Sequence, residues 1–191
     1  MKLIQRLSTL VLLSASSALA GDAVTFVSNL DLIALQQTET TALGLNWKVG
    51  ESLSYRISLA SMGNIGTSVK EVTQDTGDTL WLTNRMQLLG QNEVVEMELR
   101  KADGQLLKMR RNGQDQTLPN DPIEIISTES ASITVPAGTF ESVHIVAKTE
   151  KISHIEVWMN PRDTVMDGTL KQKAQTQLGM MVLELTSFVK K

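Results

Sequence analysis

A two-residue hydrophobic period constrains this chain more than anything else in it. Leu53, Tyr55, Ile57 and Leu59 alternate with Ser52, Ser54, Arg56 and Ser58. Successive side chains of an extended strand point to opposite faces, so this pattern gives one apolar and one wet face. Leu80, Leu82, Met86 and Leu88 repeat it, with Trp81 on the other side. Val95, Met97 and Leu99 repeat it against Glu96, Glu98 and Arg100. Weaker runs stand at Ile65, Thr67, Val69 and at Leu107, Met109. Turn residues separate them: Met62-Gly63-Asn64, Asp75-Thr76-Gly77-Asp78, Leu89-Gly90-Gln91-Asn92, Asp103-Gly104 and Asn112-Gly113. Such spacing predicts an antiparallel meander solvated on one side.

The second half returns to the same period. Ile133 to Val135 reads as a strand end. Pro136 presets the φ of a type I turn and Gly138 suits its last position. Val143 to Lys148 is expected to pair with Ile152 to Met159, followed by a turn at Asn160 to Asp163. Val165 to Lys173 and Met180 to Phe188 read as a last hairpin through Gln175-Thr176-Gln177. The total is about nine or ten strands. Asn112 to Pro122 is the longest irregular stretch. Asp121-Pro122 suits a helix start running through Ser127, with an edge strand at Ile123 to Ile126 as the alternative.

An apolar face of this size must be covered. Val24, Val27, Leu30 and Ala34 fit one helical face, broadened by Leu32, Ile33 and Leu35, and Gly44 would end that helix. An opening strand is the other reading of the segment. The expected fold is mainly β: a curved antiparallel sheet or half-barrel wrapped on a short N-terminal helix. A closed barrel and two stacked sheets are the competing solutions. Neither half can close a core alone, so residues 21–191 form a single domain.

The first twenty residues read as an export signal. Lys2 and Arg6 are a charged start, Leu7 to Leu13 an apolar core, and Ala18-Leu19-Ala20 a cleavage site before Gly21. The apolar run is too short to span a bilayer, so the chain is not membrane-spanning after cleavage. The chain has no cysteine, which excludes lipidation at a cysteine next to the cleavage site and any disulfide. The expected location is the periplasm, or the medium after full secretion. The net charge is −3, and the basic residues are scattered, so no nucleic-acid surface is expected.

The string Val135-Pro-Ala-Gly-Thr-Phe140 resembles the VPAGTF hairpin of a broad group of uncharacterised exported bacterial domains. In that group a stretch like Gly50-Glu-Ser-Leu-Ser-Tyr-Arg56 opens the sheet. Stretches like Ile155-Glu-Val-Trp-Met-Asn-Pro161 and Leu183-Glu-Leu-Thr-Ser187 close it. The similarity covers most of Trp47 to Phe188. Such domains are similar in outline to lipoprotein-carrier half-barrels, whose sheet and helices enclose an apolar cavity. The resemblance implies that fold, and it carries no catalytic residue to transfer.

Little in the chain points to catalysis. There is no nucleophile elbow and no phosphate loop. Glu96 and Glu98 share a wet strand face, where solvated carboxylates are the ordinary reading. The only histidines are His144 and His154. A three-residue loop centred on Thr149 would set them opposite each other, with Glu156 beside them, which allows a two-histidine, one-carboxylate metal site to be drawn. Solvated strand histidines are the simpler reading, and neither metal nor cofactor is expected. Met62, Met86, Met97, Met109, Met159, Met166, Met180 and Met181 are numerous where aromatics are few. Methionine adapts to acyl chains and peptides, though it also fills ordinary cores.

The expected function is therefore a non-enzymatic binding or carrier domain for an apolar ligand: a lipid, an acyl chain or a lipoprotein. Tyr55, Met86, Met97 and Trp158 are the expected ligand-lining residues. The alternative is a structural or assembly partner of another cell-envelope protein, acting through a sheet edge or the loop Asn112 to Pro122.

Overall fold

The computed structural model describes residues 44–118, 122–150, 152–176 and 178–191. The leader and the expected helix at 23–43 lie outside the described residues, which contain eleven strands and no helix. The strands are β1 (Ser52–Leu59), β2 (Gly63–Asp75), β3 (Thr79–Leu88), β4 (Gln91–Arg100), β5 (Leu106–Arg111) and β6 (Gln114–Gln116), then β7 (Glu124–Val135), β8 (Gly138–Lys148), β9 (Ile155–Met159), β10 (Thr169–Thr176) and β11 (Gly179–Val189).

All eleven belong to one antiparallel sheet in the order β6-β5-β4-β3-β2-β1-β11-β10-β9-β8-β7. Two meanders thus meet where the first strand pairs with the last, Ile57 opposite Leu183. Among the described strands β6 and β7 form the two edges, and the sheet is not closed. Its β7 end nonetheless curls back. The Ala137 N–H, at the tip of the β7–β8 hairpin, donates to the Leu185 carbonyl of β11 at 3.1 Å. The registered pairing of β10 with β11 reaches only Lys171 opposite Glu184, so the hairpin tip takes over where that strand leaves off.

The period-two residues fill the inner face. Leu53, Ile57, Leu80, Leu82, Leu88, Met97, Leu99 and Leu185 are essentially inaccessible. Each such side chain contributes about 1.5–3 kcal/mol relative to exposure.

Three local expectations are corrected. The stretch 124–127 is strand, not helix: the edge-strand alternative holds, and the strand runs on to Val135. This edge strand is almost entirely exposed and rich in Ser, Thr and Glu, so it has no apolar alternation to reveal it. In β5 the inward residue is Leu106 rather than Leu107. A bulge at Glu98/Leu99 shifts the register there and leaves Leu107 exposed.

The third correction is the largest. Val165 to Gly168 is not strand but the end of a buried loop, and β10 starts only at Thr169. The Asn160 N–H donates to the Gly168 carbonyl (2.8 Å), closing the loop on itself. The Asn160 side chain accepts from the Asp163 N–H (2.9 Å) and donates to the Asp163 carboxylate and the Glu141 carbonyl (both 2.7 Å). Gly168 has φ +69°, and a Cβ there would lie 2.1 Å from the Pro161 nitrogen, so no other residue fits.

Thr164, Val165, Met166 and Asp167 are buried under the sheet. Asp167 takes a hydrogen bond from Lys70 Nζ of β2 at 2.5 Å, and it also accepts from the Thr169 N–H and hydroxyl. The Tyr55 hydroxyl of β1 donates to the Thr169 carbonyl at 3.1 Å. The chain's own loop therefore occupies the hollow of the half-barrel over β1 and β2.

Candidate functional site

Beside this loop, the described residues leave part of the hollow open. A cleft of about 1290 Å³ lies between the segment leading into β1, the inner side of β8 and β9, and the loop after β9. That is larger than the roughly 300–1,000 Å³ usual for small-molecule sites. Its apolar surface comes from Leu45 and Trp47 on one wall, Val143, Ile145 and Met159 on the other, and Val165 and Met166 from the loop. Val143 is 44% exposed although its neighbours Ile145 and Met159 are buried. It stands at the mouth.

The first wall is fixed by backbone bonds to strand ends. The Leu45 N–H donates to the Lys101 carbonyl (2.7 Å), and the Gly50 N–H donates to the Val72 carbonyl (2.9 Å). Glu51 is buried and accepts from the Lys48 N–H at 3.1 Å, which tightens the turn between them. This wall has no strand periodicity, so only the position of Trp47 just ahead of the first alternating run could have drawn attention to it.

The cleft's polar rim is mostly cationic: Lys48, Lys101, Arg162, Lys190 and Lys191, against Glu51 and Asp75. Lys101 bonds Asp75 at 2.8 Å and, with the Gly77 N–H, holds that carboxyl below the usual carboxylate range. Asp163, behind the rim, is held low chiefly by Arg162, with Asn160 second.

None of the four expected ligand-lining residues lies on this cleft. Tyr55, Met86 and Met97 are packed in the core, Met97 fully inaccessible. Trp158 belongs to the other side of the sheet. Its ring stacks on His144 at 4.2 Å between centroids and 6° between planes, with the Lys173 ammonium 4.9 Å from the Trp158 ring centroid. Of the methionines, Met159 and Met166 line the cleft.

The outer face there carries a ladder of side chains, one per strand. Arg56 stands opposite Glu184, Glu184 opposite Lys171, Lys171 opposite Trp158, Trp158 opposite His144, and His144 opposite Glu129. Lys171 and Arg56 both bond Glu184, at 2.7 and 2.8 Å, and hold its carboxyl below its ordinary value, Lys171 having the larger effect.

His144 and His154 are not opposite one another, because β9 begins at Ile155 and pairs His144 with Trp158. They contact different oxygens of Glu156, both at 3.2 Å. Among the described residues no group of three or more His, Cys, Asp or Glu converges in a geometry that could hold a metal ion.

No protein-family model matches this chain, and no curated protein does. Several solved structures are similar to it, three of them as follows. One is a protein from Bacteroides fragilis, described as exported and as having a YmcC-like fold, at 14% identity and TM-score 0.47, covering 78% of this chain and 100% of that one. Another is the hypothetical protein CT021 from Chlamydia trachomatis, at 12% identity and TM-score 0.49, covering 82% and 91%. A third is described as a lipoprotein from Parabacteroides distasonis, at 11% identity and TM-score 0.40, covering 78% and 100%. At these values the likenesses carry no argument about this chain. What the site can do follows from its own walls: it can hold apolar matter against Trp47, Ile145 and Val165, and it can attract negative charge at its rim.

Proposed function

We propose that this chain is an exported, non-enzymatic binding domain that carries an apolar ligand, a lipid or acyl chain, in the cleft beside the 160–168 loop. The observation that carries this reading is the apolar lining of that cleft, with Val143 partly exposed at its mouth. A contiguous apolar hollow that the described residues leave uncovered has the usual form of a ligand site. The amino-terminal Lys2 to Ala20 pattern supports export, and with it a periplasmic or secreted location. Mass spectrometry of the gently purified protein tests the reading. A co-purified lipid is expected in the wild type and not in Val143→Asp, whereas repeated clean spectra, together with no uptake of added fatty acid, would count against it.

A second reading rests on a different observation. β7 is a twelve-residue edge strand with one side unpaired among the described residues, and Ile125 and Ile126 on it are 44% and 55% exposed. Long exposed edges invite pairing with another chain, so β7 would serve an envelope assembly partner. Cross-linking from position 126 in intact cells tests this. A discrete protein adduct supports it, and its absence removes it.

A further inference from the structure

Resting on the apolar-ligand reading, we propose that the cleft selects an anionic amphiphile: an acyl chain against Trp47, Ile145 and Val165, and a carboxylate or phosphate head at Lys190 and Lys191.

The chain as a whole has a net charge of −3, yet five cationic side chains and only two acidic ones line the cleft. The two acids are already engaged. Asp75 accepts from Lys101 Nζ at 2.8 Å and from the Gly77 N–H at 2.8 Å. Glu51 is buried and turned to the Lys48 N–H. Neither presents a free negative charge to a ligand.

Three of the cations are engaged as well: Lys101 with Asp75, Arg162 with Asp163, and Lys48 Nζ with the main-chain carboxylate of Lys191 at 2.9 Å, the one further negative charge at the rim among the described residues. Lys190 and Lys191 have no hydrogen bond or ion pair through their ammonium groups among the described residues, although Lys190 lies near enough to Asp163 to help hold its carboxyl low. The last two residues are tied to the cleft wall by that Lys48 bond, and the Lys191 stem passes 3.0 Å from where a Cβ would stand on Gly50. Two free ammonium groups are thus set beside an apolar hollow. A neutral apolar ligand gains nothing from them, and a cationic one is repelled.

Such a rim favours an anionic head modestly, because it is open to water and screened by salt. The experiment is a titration of the protein with a fluorescent polyene fatty acid and with the uncharged alcohol of the same chain, both below their aggregation concentrations. The expected result is that the acid binds about tenfold more tightly than the alcohol in low salt, and that high salt narrows the difference. Lys190→Glu with Lys191→Glu, both at exposed positions, removes the preference while the alcohol still binds. Val143→Asp weakens both ligands. Equal binding of acid and alcohol to the wild type would overturn the anionic preference and leave the apolar-ligand reading standing. Binding of neither would end both. A preference that survives the double lysine variant would remove Lys190 and Lys191 as the head-group site.

Discussion

Lys70 Nζ and an Asp167 carboxylate oxygen lie 2.5 Å apart, and both side chains are 1% exposed. The two residues are 97 positions apart in sequence. This contact joins the inner face of β2 to the loop after β9, and so determines which part of the half-barrel is filled and which is left as the cleft. Taking two charges out of water is costly, and the pair returns that cost only when both partners are present.

Removing Lys70 leaves the buried Asp167 carboxylate without its cation. Lys70→Met is expected to destabilise the fold by about 3–5 kcal/mol. Replacing both, with Lys70→Met and Asp167→Leu, should cost much less than the sum of the single changes. Urea unfolding of the four proteins measures this. Additive losses would mean that the two residues act separately.

Gly168 makes the loop possible. Gly168→Ala forces a Cβ against Pro161 and Asn160 at a positive φ. Strained backbone of this kind costs of order 1–3 kcal/mol, and the clash adds to it. A lowered melting temperature with unchanged far-ultraviolet circular dichroism is expected. A variant as stable as the wild type would show that the loop does not close as described.

Gln172 is 1% exposed, opposite Leu183 and Val157, and neither amide atom has a hydrogen-bond partner. A buried unpaired amide opposes folding by about 1–3 kcal/mol. Gln172→Leu should leave stability unchanged or raise it by about 1 kcal/mol. A loss of stability in thermal unfolding would refute the account of this position.

Glu184 gives the acid dependence a sign. Lys171 chiefly, and Arg56 second, lower its folded-state pKa below the ordinary value of 4.5. A lowered carboxyl adds stability above its unfolded pKa and loses that stability as pH falls through the folded one. Glu184→Gln should therefore destabilise at neutral pH and flatten the fall in melting temperature below about pH 4.5. An equally steep acid fall in the variant would place the effect elsewhere.

The alternation from Leu53 to Leu99 made most of the meander from β1 to β4 legible, because period two with one wet face has few other meanings. What stayed hidden had physical reasons. Val165 and Met166 are apolar and buried, as strand residues are, so burial alone could not separate the loop from β10. Gly168, with Asn160, Pro161 and Asp163, was the signal that it is a loop. Ser127 to Ser132 pair along an exposed edge, where no apolar face is needed. Tyr55, Met86 and Met97 lie buried in the core and do not line the cleft. The cleft instead draws on Leu45, Ile145 and Val165, which only the curl of the sheet and the loop after β9 bring together.

Methyl-resolved nuclear magnetic resonance during titration with a fatty acid tests the central claim most directly. The account predicts saturable shifts at Leu45, Val143, Ile145, Met159 and Val165, and none at Met86 or Met97. Shifts centred on Met86 and Met97, or an unchanged spectrum at saturating ligand, would contradict it.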